Sequence, residues 1–167
     1  MTPATILVAG IGNIFFGDDG FGVAVARRLL EQARPAHVRV VDFGIRGHDL
    51  AFSLFEPYEL VVLIDTVQRG SKPGTLHVIE LDESALPNRD QPDAHGMVPS
   101  RAVELARTMG AKIPRLVLVG CEPAHFGDPE HGEIGLSPPV SAAVAEAMAA
   151  VESLIARHTG PACTNSA

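Results

Sequence analysis

The sequence predicts an α/β fold: a single-domain three-layer sandwich in which a mostly parallel, twisted sheet of about five strands carries helices on both faces. Three observations predict it. Residues 5–9 and 59–64 ("ELVVLI") are nearly unbroken apolar runs, as strands covered on both faces are. Segments with apolar residues at helical spacing alternate with these runs, the pattern of crossover-connected parallel strands. Gly10-Ile11-Gly12 and Asp65 close the runs where the chain must turn.

Taken in order, residues 5–9 form a first strand entering a tight glycine loop, and Phe21, Val25 and Leu29 mark one face of the helix that follows. Residues 37–43 set Val38, Val40 and Val41 among polar neighbours as a second strand. Gly44-Ile45-Arg46-Gly47 then turns the chain into a short helix around Leu50 and Leu54. The third strand, 59–64, ends at Asp65. After Pro73-Gly74 a shorter strand, 75–79, follows its predecessor closely enough for an antiparallel edge pairing. Residues 98–109 predict a helix with Pro99 in its first turn and Ala102, Leu105, Ala106 and Met109 on one face. Residues 115–120 give another buried strand, and Val140, Val144, Ala147, Val151 and Leu154 form the apolar stripe of a last helix. The domain is expected to span 1–158, with 159–167 a disordered tail.

With 167 residues, 46% of them hydrophobic, the chain is long enough to bury one substantial core. A net charge of -7 opposes phosphate, so neither nucleic acid nor an anionic membrane is an expected partner. Residues 1–5 lack a basic signal-peptide start, and no apolar stretch approaches the length of a membrane span. Cys121 and Cys163, far apart, speak against a disulfide framework. A cytoplasmic protein is expected.

In sheets of this kind ligands bind beyond the carboxyl ends of the strands, which directs attention to residues 10–19, 42–47, Asp65 and the segment after Gly120. Gly12 and Gly17 have the outer spacing of a phosphate loop, but Asp18 and Asp19 stand where Lys and Ser or Thr belong, and Gly10, Gly12 and Gly17 do not read GxGxxG. No nucleotide is expected. Either aspartate can cap the next helix; one suffices, which leaves the second to face a cation. Asp65, a carboxylate ending an apolar strand, costs free energy unless it is paired or bound to something. With His95, from "DAHGM", Asp19 and Asp65 make one imidazole and two carboxylates, a set suited to nickel or zinc. Cys121, ending a strand, reads as a buried thiol rather than a nucleophile, and "HFGDPEHGE" (125–133) as an exposed loop. Neither G-x-S-x-G nor H-E-x-x-H occurs.

In order, "ILVAGIGNIFFGDDGFGVAVARRL", "LVVLIDT", "DAHGM", "LVGCEP" and "GLSPPV" resemble the hydrogenase maturation proteases, endopeptidases that remove the C-terminal extension of [NiFe]-hydrogenase large-subunit precursors. The resemblance runs from Ile6 to about Leu154. It implies that Asp19, Asp65 and His95 form the catalytic, nickel-recognising site, with Asn13 in the loop that shapes its cleft. The nickel is carried by the precursor and bound only transiently. Relatives often have Glu where Asp19 stands, so here the ligand must approach one methylene more closely. Asp42-Phe43-Gly44-Ile45-Arg46-Gly47 replaces the family's Asp-Gly-Gly-Thr-x-Gly, a substrate-recognition segment, so Asp42, Gly44 and Gly47 are expected to line the substrate cleft. The alternatives are a non-enzymatic nickel-handling module using the same residues and an inactive interaction domain that keeps the fold.

Overall fold

The computed structural model describes residues 4–82 and 99–160. Five strands, β1 (Ile6–Ile11), β2 (Val38–Gly44), β3 (Leu60–Thr66), β4 (Leu76–Leu81) and β5 (Arg115–Cys121), form one sheet in the order β2-β1-β3-β5-β4. All neighbours are parallel except β4, which runs antiparallel to β5 at the edge. The antiparallel edge strand was expected, but its neighbour is β5 and not its predecessor. Both sides of β3 are taken by β1 and β5, so β4 closes the sheet beyond them.

Alternation along the strands sorts the core into two layers. Ile6, Val8, Val62, Ile64, Val117 and Val119 face α1 (Phe21–Leu30) and α4 (Pro138–Thr159). Leu7, Ala9, Val61, Leu63 and Leu116 face α2 (Gly47–Ser53) and α3 (Pro99–Thr108). Every residue of β1 is buried, the burial that its unbroken apolar run requires. The stripe Val140, Val144, Ala147, Val151 and Leu154 of α4 is buried as expected. At 22 residues and a mean hydropathy of 1.4, α4 does have the length and composition of a membrane span, contrary to expectation; its apolar stripe, however, packs on the sheet. In α3 the buried positions are Pro99, Ala102, Val103 and Ala106, whereas Met109 lies past the helix end and is exposed. Of the expected face, Ala102 and Ala106 are buried and Leu105 packs partly against the core, while Val103, which was not expected, is buried with them. Thr159 closes α4, and 161–167 lie outside the described residues.

Strand β1 runs two residues beyond the expected end, because Gly10 stays in the ladder between Asp42 and Ile64. The reason is packing. A Cβ on Gly22, in the first turn of α1, would fall inside the van der Waals envelope of the carbonyl oxygens of Ile11 and Ile64, and one on Gly10 would meet Ala26 and the Gly22 carbonyl. The start of α1 therefore lies directly on the carboxyl ends of β1 and β3. The sheet order reverses at this point: β1 connects through α1 to β2 on one side, and β3 lies on the other. This is the position where open α/β sheets bind ligands.

A single 3-10 turn, Asp18–Gly20, leads into α1. Neither aspartate caps the helix with its side chain; the N-cap residue is Gly20. Asp18 is instead fully buried, and its carboxylate accepts hydrogen bonds from the backbone N–H groups of Ala124 (2.8 Å), His125 (3.3 Å) and Ser137 (2.7 Å) and from the Ser137 hydroxyl (2.8 Å). Burial alone would push its pKa up. The donated bonds, led by that of the Ser137 backbone, outweigh burial and hold it below the ordinary value of 3.8. This one charge fastens the glycine loop to the segment after β5 and to the start of α4.

Two outcomes follow from this packing. Gly22→Ala is expected to lower stability by about 3 kcal/mol through overpacking against backbone, although Ala is intrinsically about 1 kcal/mol better than Gly in a helix; urea unfolding measures it, and an unchanged midpoint contradicts the close approach. Asp18→Ala strands buried donors and is expected to cost about 3 kcal/mol at neutral pH. Because the folded-state pKa is lowered, this contribution is complete above 3.8 and is lost as pH falls through the folded value. The deficit of the variant against the wild type should therefore shrink in acid; a pH-independent deficit would contradict the ionised brace.

Candidate active site

The glycine loop that follows β1 opens with Gly12 at φ 137°, a conformation that L side chains rarely adopt, and a Cβ there would run into the Asp19 carbonyl. This tight turn folds the loop back on itself. The backbone N–H of Asn13 donates to Asp19 Oδ2 at 2.9 Å, and Asn13 Oδ1 accepts from the N–H of Phe15 at 2.9 Å. Asp19 is thereby held as a mostly buried carboxylate at the mouth of the loop, 9% exposed.

Asp65 ends β3, in register with Gly120 of β5, and accepts the Thr66 N–H at 2.8 Å. Desolvation pushes its carboxyl well above the usual aspartate range; the Thr66 bond opposes this, and the charge of Asp19 adds to it. The two carboxylates predicted to act together are thus brought within electrostatic reach of one another at the sheet's switch point. Asp65 is a half-buried acid that no cation among the described residues compensates, the state in which a carboxyl is poised to take up either a proton or a metal ion. His95, the third predicted member, lies outside the described residues. Among the described residues no three His, Cys, Asp or Glu side chains are grouped to hold a metal ion.

The expected cleft residues gather on the same edge. The Gly12 N–H donates to the Gly44 carbonyl at 3.0 Å, and Gly44, at φ 54°, turns the chain out of β2 beside the glycine loop. Asp42 pairs with Gly10 in the ladder, and its carboxylate is held by Arg27 Nε at 3.0 Å. Gly47 is buried at the start of α2. Ile45, between them, is 65% exposed, as is Phe15 at 56%. The rim of the loop is therefore apolar around an acidic floor.

Two features escaped the sequence. The 125–133 loop does not hang free: Gly17 N–H donates to the Glu133 carbonyl at 2.8 Å, Glu133 N–H to the Phe15 carbonyl at 2.7 Å, and Gly17 bridges Phe126. Its His125 and His131 pair with its own Glu133 (3.1 Å) and Asp128 (2.8 Å). The Asp18 brace is the other. Both join residues more than a hundred positions apart, which no local pattern reports; the "GLSPPV" segment containing Ser137 was the one visible trace. Cys121 is fully buried, as its apolar strand predicts, and its thiol is pushed up to about 12 by burial and by the charges of Asp18, Glu122 and Glu146. A thiolate nucleophile at that position is therefore inaccessible at neutral pH.

Comparison with known proteins agrees with this architecture. The family described as hydrogenase maturation protease matches residues 23–154. The coenzyme F420 hydrogenase subunit delta of Methanothermobacter thermautotrophicus is 34% identical over 87% of this chain and 90% of its own length. A putative hydrogenase maturation protease of Methanocaldococcus jannaschii is 32% identical, covering 89% of this chain and 94% of its own. Among solved structures, the hydrogenase maturating endopeptidase HybD from E. coli superposes with a TM-score of 0.76 at 27% identity, over 93% of each chain. A single α/β domain carrying two coupled carboxylates at its switch point, in a chain that these comparisons match over most of its length, belongs to the hydrogenase maturation protease family of endopeptidases.

Proposed function

We propose that the protein removes the C-terminal extension of a [NiFe]-hydrogenase large-subunit precursor after nickel insertion, and that it recognises the precursor by the nickel the precursor carries. The observation that carries this reading is the Asp19 and Asp65 pair. Two carboxylates close enough for one to raise the pKa of the other, with Asp65 otherwise supported by one backbone N–H, form a floor that favours a cation. His95 supplies the third ligand in this reading. Nickel is a borderline ion that accepts both carboxylate oxygen and imidazole nitrogen while keeping sulfur ligands from the precursor. It is therefore part of the substrate and not a resident cofactor of this chain.

Docking of that ion brings the peptide bond beyond the precursor's metal-binding segment against the acidic floor. A water attacks the carbonyl carbon, and the carbonyl π electrons move to oxygen. A carboxylate of the pair takes the water's proton and returns it to the leaving nitrogen as the C–N bond breaks. The same geometry acts as a checkpoint, since a nickel-free precursor lacks the anchoring ion and binds more weakly.

Intact mass of a cognate precursor, nickel-loaded and nickel-free, tests this directly. Loss of a C-terminal peptide from the loaded form alone is expected; cleavage of neither, with nickel lost from the precursor, would favour the nickel-handling module. Asp65→Asn should abolish processing while preserving or raising the thermal midpoint. The sign follows from the raised folded pKa: the fold prefers the neutral carboxyl, so stability falls as pH rises from the ordinary value of 3.8 towards the folded one, and a neutral amide escapes that loss. Full activity of Asp65→Asn would sink the assignment.

A further inference from the structure

Hydrolysis of a peptide bond needs a donor for the oxygen on which negative charge develops, and such donors are worth several kcal/mol when held in place. The acidic loop offers few. Its N–H groups at Gly12, Asn13, Phe15, Phe16, Gly17 and Asp19 all donate within the protein. The guanidinium groups nearest the edge are occupied too: Arg27 by Asp42, and Arg46 by Asp49 and by the carbonyls of Phe43 and Asp42.

Asn13 is different. Its backbone N–H holds Asp19 Oδ2 at 2.9 Å, so the residue lies against the site's carboxylate. Its side-chain atom 2.9 Å from the Phe15 nitrogen meets an N–H, which can only donate, and is therefore the amide oxygen. The amide NH2 is consequently the other branch of the group, and no acceptor among the described residues meets it. The amide plane is locked by the turn it makes with Phe15, which fixes the direction of its two N–H bonds before any substrate arrives.

Resting on the proteolytic reading above, we propose that Asn13 is a catalytic residue whose Nδ2–H donates to the carbonyl oxygen of the scissile peptide and stabilises the oxyanion formed when water attacks. The acidic floor handles the cation and the proton, and Asn13 handles the developing negative charge that those carboxylates would otherwise repel.

Asn13→Asp and Asn13→Ala, assayed for kcat and KM on the nickel-loaded precursor beside thermal unfolding, test this. Asp keeps an oxygen for the Phe15 N–H but replaces the donors with a negative charge; Ala loses the donors without adding charge. Both are expected to lose about 100-fold in kcat, with KM within about threefold and, for Asn13→Asp, a thermal midpoint like the wild type's. A purely structural role predicts damage in Ala and recovery in Asp. Wild-type kcat in either variant, or a loss confined to KM, overturns the proposal, and Asn13→Asp decides alone should Asn13→Ala not fold. Failure of the wild type itself to cleave would instead sink the proteolytic reading, so the two failures are distinguishable.

Discussion

The whole site depends on how closely the first turn of α1 can approach the sheet. Gly22 rests on the carbonyls of Ile11 and Ile64, and Gly10 on Ala26 and Gly22, with no room for a Cβ at either glycine. Because α1 sits this low, the turn that precedes it lands beside the end of β3. Coulomb energy falls with distance, so the approach converts two sequence-distant aspartates into an interacting pair. Gly12 completes the arrangement by letting the loop fold under the Asp19 carbonyl.

Adjacent aspartates then meet opposite fates. Asp18 is fully buried yet keeps its charge, because four donors from Ala124, His125 and Ser137 replace the water it has lost. Among the described residues Asp65 has one backbone donor against desolvation and a like charge, and its carboxyl is driven the other way. A carboxylate that the fold satisfies is architecture; one that the fold leaves unsatisfied is chemistry. The brace made by the first keeps the second's partner, Asp19, from relaxing away into solvent, so the two roles support each other.

Around this floor three separate segments meet: the glycine loop, the exit of β2 at Gly44, and the 126–133 stretch that hydrogen-bonds to Phe15 and Gly17. Each is short and irregular, and each is fixed by backbone bonds to another rather than by a core of its own. Exposed Phe15 and Ile45 stand on this rim. A surface assembled from mutually bonded loops can vary in side chains while its backbone frame holds.

The sequence by itself determined the strands, the helices and the acidic residues of interest, because each of these is written in local periodicity or in residue type. Unbroken apolar runs gave β1, β3 and β5, the stripe from Val140 to Leu154 gave α4, and the place of Asp19 in the glycine loop and of Asp65 at a run end marked them as candidates. Burial of Cys121 followed from its strand in the same way. Only the tertiary structure decided which strand β4 joins, that Gly10 remains in the ladder, that Asp18 is a brace and not a cap, that the 125–133 loop is bonded to the glycine loop, and that the amide oxygen of Asn13 is engaged by the Phe15 N–H. These are matters of who meets whom across the sheet. Hydrogen bonds and desolvation depend on distances between residues far apart in the chain, and periodicity along the chain carries no record of them.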